Sequence, residues 1–340
     1  MRAVELRSFG GPDGLVATEL PDPEPGPGEV RVDLVAAALN RRDWWIRTGG
    51  KVQLPVVLGS DGTGRVSAVG SAVEGVEIGD EVVIYPGRGW GDDDEAPGAE
   101  FELLGGPRQG TYAERIVVDS DQVRPRPSGW SWAESAALPV AGLTAWRALV
   151  RYADAGAGKT ILVPGAGGGV ATLAIQIGNA LGARMLTTTS SPEKLERALA
   201  LGAAGGADYR DADWPDRLGP VDAVIDSVGG AAWPGALRAL RPAGILVCFG
   251  DTDGDVGEVE IADLFFRYLR IQGTTLASPR ELDALLTHCA RASWRPVIDS
   301  VFPLAAAAEA HRRLDAPDRF GKIVLAIDDG TLETIDSKVA

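Results

Sequence analysis

Short apolar alternations separated by turn residues fill the chain from its N-terminus to about residue 125. The segments Glu29-Val-Arg-Val-Asp-Leu-Val and Asp80-Glu-Val-Val-Ile-Tyr alternate apolar and polar positions, the period of a strand with one buried face. Between such segments stand Pro21-Asp-Pro-Glu-Pro-Gly-Pro-Gly, Gly59-Ser-Asp-Gly-Thr-Gly and Pro86-Gly-Arg-Gly-Trp-Gly. These favour turns, because proline fixes φ and glycine admits positive φ. The pattern predicts a mostly β unit whose short strands close on one another.

From about Trp130 the pattern changes. Lys159-Thr-Ile-Leu-Val-Pro reads as a strand and Val170 to Leu181 as an amphipathic helix; Arg184-Met-Leu-Thr-Thr-Thr and a helix over Pro192 to Leu201 follow. Val221-Asp-Ala-Val-Ile-Asp and Gly244-Ile-Leu-Val-Cys-Phe continue the series. Strands alternating with helices of this length predict βαβ units and a parallel sheet, an α/β fold. The tail predicts a helix over Pro279 to Ala292, a strand at Val297-Ile-Asp-Ser-Val-Phe, a helix over Ala305 to Leu314 and a last strand, Gly321-Lys-Ile-Val-Leu-Ala-Ile.

Composition narrows the function classes. The 340 residues, 45% hydrophobic and 24% charged, suffice for two domains with cores of their own. No run of about 18 apolar residues occurs, and the start Met1-Arg-Ala-Val-Glu lacks the apolar stretch of a signal peptide, so a cytoplasmic protein is expected. Cys248 and Cys289 are the only cysteines, which argues for reduced thiols over a disulfide framework. A net charge of -15 repels nucleic acid and anionic membrane surfaces, leaving a small molecule as the expected partner. The acidic run from Asp92 to Glu95 reads as a solvated loop rather than a cation site.

Candidate chemistry begins where the strand ending at Pro164 meets the following helix. The turn Gly165, Ala166, Gly167, Gly168, Gly169, Val170, Ala171 lets backbone N–H groups approach a pyrophosphate with no Cβ in the way. Gly167, Gly168 and Ala171 suit the close approaches to phosphate and between helix and strand. About twenty residues on, an NAD-binding unit places an acid for the ribose 2′-hydroxyl; this chain has Thr187-Thr-Thr-Ser-Ser-Pro-Glu-Lys194 instead. Ser190, Ser191 and Lys194 favour a 2′-phosphate, hence NADP (NADPH). Ser191 or Ser190 also suits the cap of the helix beginning at Pro192.

Together with Leu39-Asn-Arg-Arg-Asp43, Leu58-Gly-Ser-Asp-Gly-Thr-Gly64, Gly110-Thr-Tyr-Ala-Glu114, the segment from Ala136 to Trp146 and Phe320-Gly-Lys-Ile323, these features make the chain resemble the medium-chain dehydrogenase/reductase superfamily over residues 1 to 326. The nearest branch is that of zinc-free quinone oxidoreductases and enoyl reductases. The resemblance implies a GroES-like β-rich catalytic domain from residues 1–125 and 278–340, a Rossmann doubly wound NADP-binding domain over 126–277, a cleft where nicotinamide meets substrate, and a homodimer. It further implies that Asn40 and Thr144, the catalytic candidates, lie near the nicotinamide ribose and that the Gly165 to Ala171 turn holds the pyrophosphate. Lys194 and Tyr209 would meet the 2′-phosphate, Ser227 and Val228 the adenine side, Phe249 and Gly250 the nicotinamide side, and Phe320, Gly321 and Lys322 would close over the cofactor.

Zinc-dependent relatives place a Cys near Asn40, a His where Ser60 stands, a Cys near Val140 and a set of cysteines between about Gly87 and Arg108; none is kept here. The soft donors are Cys248, Cys289, His288 and His311, too scattered for a tetrahedral zinc site, so no metal is expected, and a lone helical histidine is expected to face solvent. Without a Lewis acid, hydride transfer to a quinone or α,β-unsaturated carbonyl is favoured, because the developing charge is delocalised. Asp43 is expected either in a salt bridge with Arg41, Arg42 or Arg47 or in a chemical role, and Trp44 or Trp45 in the core or a substrate pocket. A zinc-independent alcohol or carbonyl oxidoreductase and a noncatalytic NADPH-binding module are the alternatives.

Overall fold

The alternating segment at Glu29 becomes the longest strand, Glu29–Ala38, of a seven-stranded sheet. Its neighbours are Asp61–Val69 and Lys322–Ala326, both antiparallel to it, and Arg115–Asp119 pairs with its first half. Glu81–Ile84 and Val123–Pro125 extend the sheet on one side and Ile298–Pro303 on the other. Alternation ends at Leu34, beyond which both faces of the strand are covered. One face carries the main core, with Val30, Val32 and Leu34; the other holds Ala36 and Ala38 against Ala133 and Ala136 of the short helix Trp132–Ala136. Alanine on both sides of this contact lets helix and sheet approach closely.

The computed structural model describes residues Met1 to Asp328. They form two units, Met1–Val140 together with the chain from Ser278 onward, and Ala141–Ala277. Residues 126–140, read from the pattern as part of the middle unit, pack in the first. Trp132 lies under the Arg65 and Arg126 guanidinium groups, at 4.8 and 4.3 Å, and the helix it begins is capped by Ser131.

The second unit is built on six parallel strands in the order Gly205–Ala207, Arg184–Thr188, Thr160–Pro164, Val221–Asp226, Leu240–Cys248, Arg270–Gly273. Numbered along the chain this is 3-2-1-4-5-6, the doubly wound arrangement in which the chain reverses direction across the sheet between the first and fourth strands. The helix Gly169–Ala180 buries Ala171 to Gly178, and Leu162, Leu186, Val224 and Leu246 carry the core on the strands. Among the described residues no helix is long and apolar enough to cross a membrane.

Gly64 tests the strand packing of the first unit. It pairs with Leu34, and a Cβ there would lie 2.1 Å from the Asp33 carbonyl oxygen. Gly64→Ala is expected to lose about 1–3 kcal/mol of stability by overpacking against backbone, read as a lower urea midpoint; an unchanged midpoint would contradict the close approach.

Candidate cofactor and active site

The second unit supplies a backbone cradle. Gly165 follows the first strand with φ of +76°, and a Cβ on it would lie 3.5 Å from Val228 Cγ2. The turn at the first strand therefore faces the loop after the fourth, at the switch point where open α/β sheets bind ligands. The Gly169–Ala180 helix is N-capped by Gly168, which offers its first turn no side-chain acceptor. That leaves N–H groups and the positive end of the helix dipole for an anion, so these residues fit a dinucleotide pyrophosphate.

The loop that begins with Ser227 and Val228 is shaped by Asp226. This fully buried carboxylate accepts from the N–H groups of Val228 and Gly229, both at 3.0 Å, and from Trp233 Nε1 at 2.8 Å. Phe249 N–H donates to the Asp226 carbonyl, and a Cβ on Gly250 would meet the Ser227 carbonyl oxygen at 2.8 Å, so these two loops touch. Phe249 and Gly250 line a cavity of about 420 Å³ with Gly229, Trp233 and Cys248.

At the end of the second strand, Ser191 caps the Pro192–Ala200 helix by accepting from Lys194 N–H at 3.2 Å and donates to Glu193 at 2.7 Å. Tyr209 donates to Ser190 Oγ at 3.0 Å, bringing those two candidates together. Arg210, which sequence reasoning missed, donates to the Ser190 carbonyl at 3.0 Å and pairs with Asp208, whose carboxyl is held down to about 2 by the hydrogen bonds from Arg210. Its signal was a basic residue beside Tyr209.

The first unit supplies a buried polar cluster. Asn40, the N-cap of the Arg41–Gly49 helix, donates through Nδ2 to Asp61 at 2.9 Å and accepts through Oδ1 from Lys322 at 2.6 Å. Lys322 also donates to Asp61 at 2.9 Å and to the Leu39 carbonyl at 2.7 Å, and Asp61 takes a third donor, Val140 N–H, at 2.7 Å. Lys322, expected over the cofactor, is 3% exposed and gives its three ammonium protons to acceptors inside this unit. Phe320 is buried, and its N–H donates at 2.9 Å to Asp299, which also holds Arg313. Thr144 belongs to the other unit and is 7% exposed.

Two further expectations are corrected. Asp43 makes no ion pair among the described residues; it is fully buried and accepts from Asn40 N–H at 2.7 Å and Gly59 N–H at 3.2 Å. Burial pushes its carboxyl up, opposed by the Asn40 hydrogen bond. The spacing of the Leu39–Asp43 segment puts this carboxylate on the helix N-terminus, a better partner than a surface arginine. Arg42 turns instead to Ser60 Oγ and the Leu104 and Gly106 carbonyls. His311 does not face solvent. Ala307, Ala310, His311 and Leu314 form the buried face of the Ala307–Leu314 helix, and His311 meets Arg47 Nε at 3.2 Å and Tyr112 Oη at 3.4 Å. Trp44 is half-buried under Arg41, and Trp45 is exposed.

Burial, aided by the Arg47 charge, lowers the His311 imidazole to about 3. Unfolded histidine titrates near 6.5, so between these values the unfolded chain binds the extra proton. The stabilisation is complete above about pH 6.5 and is lost as pH falls towards 3. His311→Gln is expected to flatten the decline in Tm between about pH 6.5 and 4 relative to the parent; an unchanged slope would contradict the buried neutral imidazole.

Residues 26–128 match the alcohol dehydrogenase GroES-like domain and residues 201–325 a family described as zinc-binding dehydrogenase. The zinc that this description implies does not fit the residues present. His311 is enclosed by Arg47 and Tyr112, the Cys289 thiol beside His288 is pushed up to about 12 by burial, and among the described residues no group of three or more His, Cys, Asp or Glu is placed to hold a metal. A zinc-type alcohol dehydrogenase-like protein, YogA, from Leptosphaeria maculans is 34% identical, covering 90% of this chain and 92% of that protein. A quinone oxidoreductase from Pseudomonas aeruginosa is 33% identical, covering 95% and 99%. A crystal structure of an NAD-dependent alcohol dehydrogenase superposes with a TM-score of 0.92 at 41% identity, covering 96% and 100%. With both domains matched and full-length relatives of this similarity, the chain belongs to the medium-chain dehydrogenase/reductase superfamily, with a quinone oxidoreductase-like branch as its setting.

Proposed function

We propose that this oxidoreductase uses NADPH, without zinc, to reduce a quinone or an α,β-unsaturated carbonyl compound. The observation that carries this reading is the Asn40, Ser60 and Asp61 neighbourhood. Where zinc-dependent relatives present metal ligands, this chain presents an amide and hydroxyl bonded internally: Asn40 to Asp61 and Lys322, Ser60 to the Leu104 carbonyl at 2.7 Å. A localised alkoxide has no metal to stabilise it in such a site, whereas the charge left on an enone or quinone oxygen is delocalised and needs only oriented donors.

The nicotinamide supplies a hydride when bound. The Gly165 to Ala171 turn holds the pyrophosphate by backbone N–H groups, with Ser227, Val228, Phe249 and Gly250 along the dinucleotide. Ser190, Ser191, Lys194 and Tyr209 receive the 2′-phosphate, with Arg210 as an added charge. Asn40 and Thr144 orient the nicotinamide ribose, Phe320 and Gly321 border the cofactor, and the substrate's proton comes from solvent. An alcohol oxidoreductase using NAD is the second reading, favoured by the likeness to the 41%-identical NAD-dependent alcohol dehydrogenase. A noncatalytic NADPH-binding module is the third.

The expected oligomer is a homodimer in the cytoplasm. Arg270–Gly273 is the edge strand of its sheet, and Ile261, Phe265, Phe266 and Tyr268 beside it are exposed, Phe266 by 75% and Tyr268 by 76%. An edge strand close in sequence to exposed apolar side chains, two of them in ring contact, suits a second copy. Phe266→Glu is expected to shift the light-scattering mass towards the monomer; a monomeric parent would contradict this assembly.

In chelator-treated protein, NADPH oxidation is expected with a quinone or an enone and not with simple ketones. Activity only after added zinc, or only with NADH, would contradict the proposal, and tight NADPH binding without turnover would favour the binding module. Arg210→Ala is expected to raise KM for NADPH about tenfold through loss of a charge-assisted contact, with KM for NADH unchanged; equal changes for both cofactors would remove Arg210 from the 2′-phosphate site.

A further inference from the structure

We propose that Asp299, clamped by Arg313, is a positioning residue for the Phe320-Gly321-Lys322 segment and, through the Lys322 ammonium, for Asn40. The inference rests on the reading of Asn40 as a group that orients the nicotinamide ribose, and it adds residues to which that reading gave no part.

The path begins at an irregularity in the sheet. Along the parallel pair of Ile298–Pro303 and Lys322–Ala326, Ile298 stands opposite Lys322 and Ser300 opposite Ile323, so Asp299 is an extra residue with no counterpart. A bulge of this kind re-aims the side chain it carries. The Asp299 carboxylate, its side chain 3% exposed, accepts from Arg313 Nε at 2.7 Å and Nη2 at 2.8 Å, from Ser300 Oγ at 2.9 Å and from Phe320 N–H at 2.9 Å. Each of its oxygens thus takes one guanidinium N–H and one further donor. Burial by itself would raise this carboxyl, but the bonds from Arg313, Phe320 and Ser300 outweigh burial and hold it below its ordinary range. Arg313 is fixed in turn by Asp318 at 2.7 Å, in the turn that leads to Phe320.

The next two residues have as little freedom. Gly321 has φ of +112°, and a Cβ on it would lie 2.4 Å from the Val297 carbonyl oxygen, so the chain passes too close to that carbonyl for any side chain. Lys322 N–H donates to the same carbonyl at 2.8 Å, and Arg319 donates to the Gly321 carbonyl at 2.9 Å. The Lys322 ammonium then reaches Asn40 Oδ1 at 2.6 Å and Asp61 at 2.9 Å. Every link between Asp299 and Asn40 is therefore either the chain itself or a hydrogen bond of 2.9 Å or shorter.

A solvent-exposed ion pair would tie the Ala307–Leu314 helix to the last strand without desolvating a carboxylate. What the buried carboxylate adds is an acceptor of fixed position. It sets where Phe320 N–H stands, and the tight passage at Gly321 carries that placement to Lys322.

Asp299→Ala removes the acceptor, whereas Asp299→Asn keeps an oxygen for Phe320 N–H and loses the charge that binds Arg313. Both are expected to lower Tm. Asp299→Ala is expected to lower kcat for NADPH-dependent reduction about tenfold, since small misplacements of orienting groups are costly, with KM for NADPH within about twofold. Asp299→Asn is expected to retain most of the parent's kcat. Val30→Ala, in the main core, is expected to lower Tm and leave kcat unchanged. A loss of kcat that follows the loss of Tm across all three variants overturns the positioning role. If the parent reduces no acceptor, the reductase reading fails by itself, and the ammonium is then read directly by proton–nitrogen NMR on protein labelled at lysine. The Lys322 ammonium protons are expected to exchange with water faster in Asp299→Ala than in the parent, and at the parent's rate in Val30→Ala. Exchange that is unchanged in Asp299→Ala, or raised equally in Val30→Ala, overturns the proposal.

Discussion

Lys322 and Asp61, 2.9 Å apart and 3% and 0% exposed, form an ion pair that neither residue could sustain alone. Either charge left unpaired in the interior would destabilise the fold by about 3–5 kcal/mol. Here each has every bond it needs: Lys322 has three acceptors, and the Asp61 carboxylate takes Lys322, Asn40 and Val140. The pair thereby joins four stretches of chain that are far apart in sequence, ending at Asn40, Asp61, Val140 and Lys322. None of them can shift without breaking a buried charge-assisted bond, so the loop bearing Asn40 is held in one geometry before any ligand arrives.

The two units solve different problems with different atoms. The dinucleotide recognition proposed for the second unit rests on backbone N–H groups and a helix end, so small residues suffice and the key requirement is the absence of side chains. In the first unit the work is done by side chains, buried and mutually bonded, so their identity matters more than their size. The charge distribution follows the same division. A chain with a net charge of -15 repels a cofactor carrying several negative charges. Lys194 and Arg210 beside Ser190 and Ser191 supply local positive charge where the proposed 2′-phosphate would sit, while Asp208 balances Arg210 in its absence.

What was legible in the sequence was what local periodicity writes. The alternation at Glu29 and the series of strands and helices from Lys159 to Cys248 depend on neighbours within a turn or a strand, and the glycine-rich turn depends only on its own residues. The ion pair between Lys322 and Asp61 spans 261 positions, and its contact with Asn40 spans 282, so no window reveals it. The placement of residues 126–140 was missed because a five-residue helix carries too little pattern to show which sheet it covers. His311 is different: the spacing Ala307, Ala310, His311, Leu314 marks a buried helix face, and counting that face instead of judging the residue type would have placed it inside. Arg210 stayed hidden because a basic residue among acids reads as ordinary surface.

The proposed delivery of hydride to a conjugated carbon leaves a mark that deuterium can report. NADPH carrying deuterium at C4 of the nicotinamide, turned over with an α,β-unsaturated ketone, is predicted to give the saturated ketone with deuterium at the β-carbon, read by NMR of the product. Deuterium on the carbonyl carbon of an allylic alcohol would contradict conjugate delivery and make the chain a carbonyl reductase.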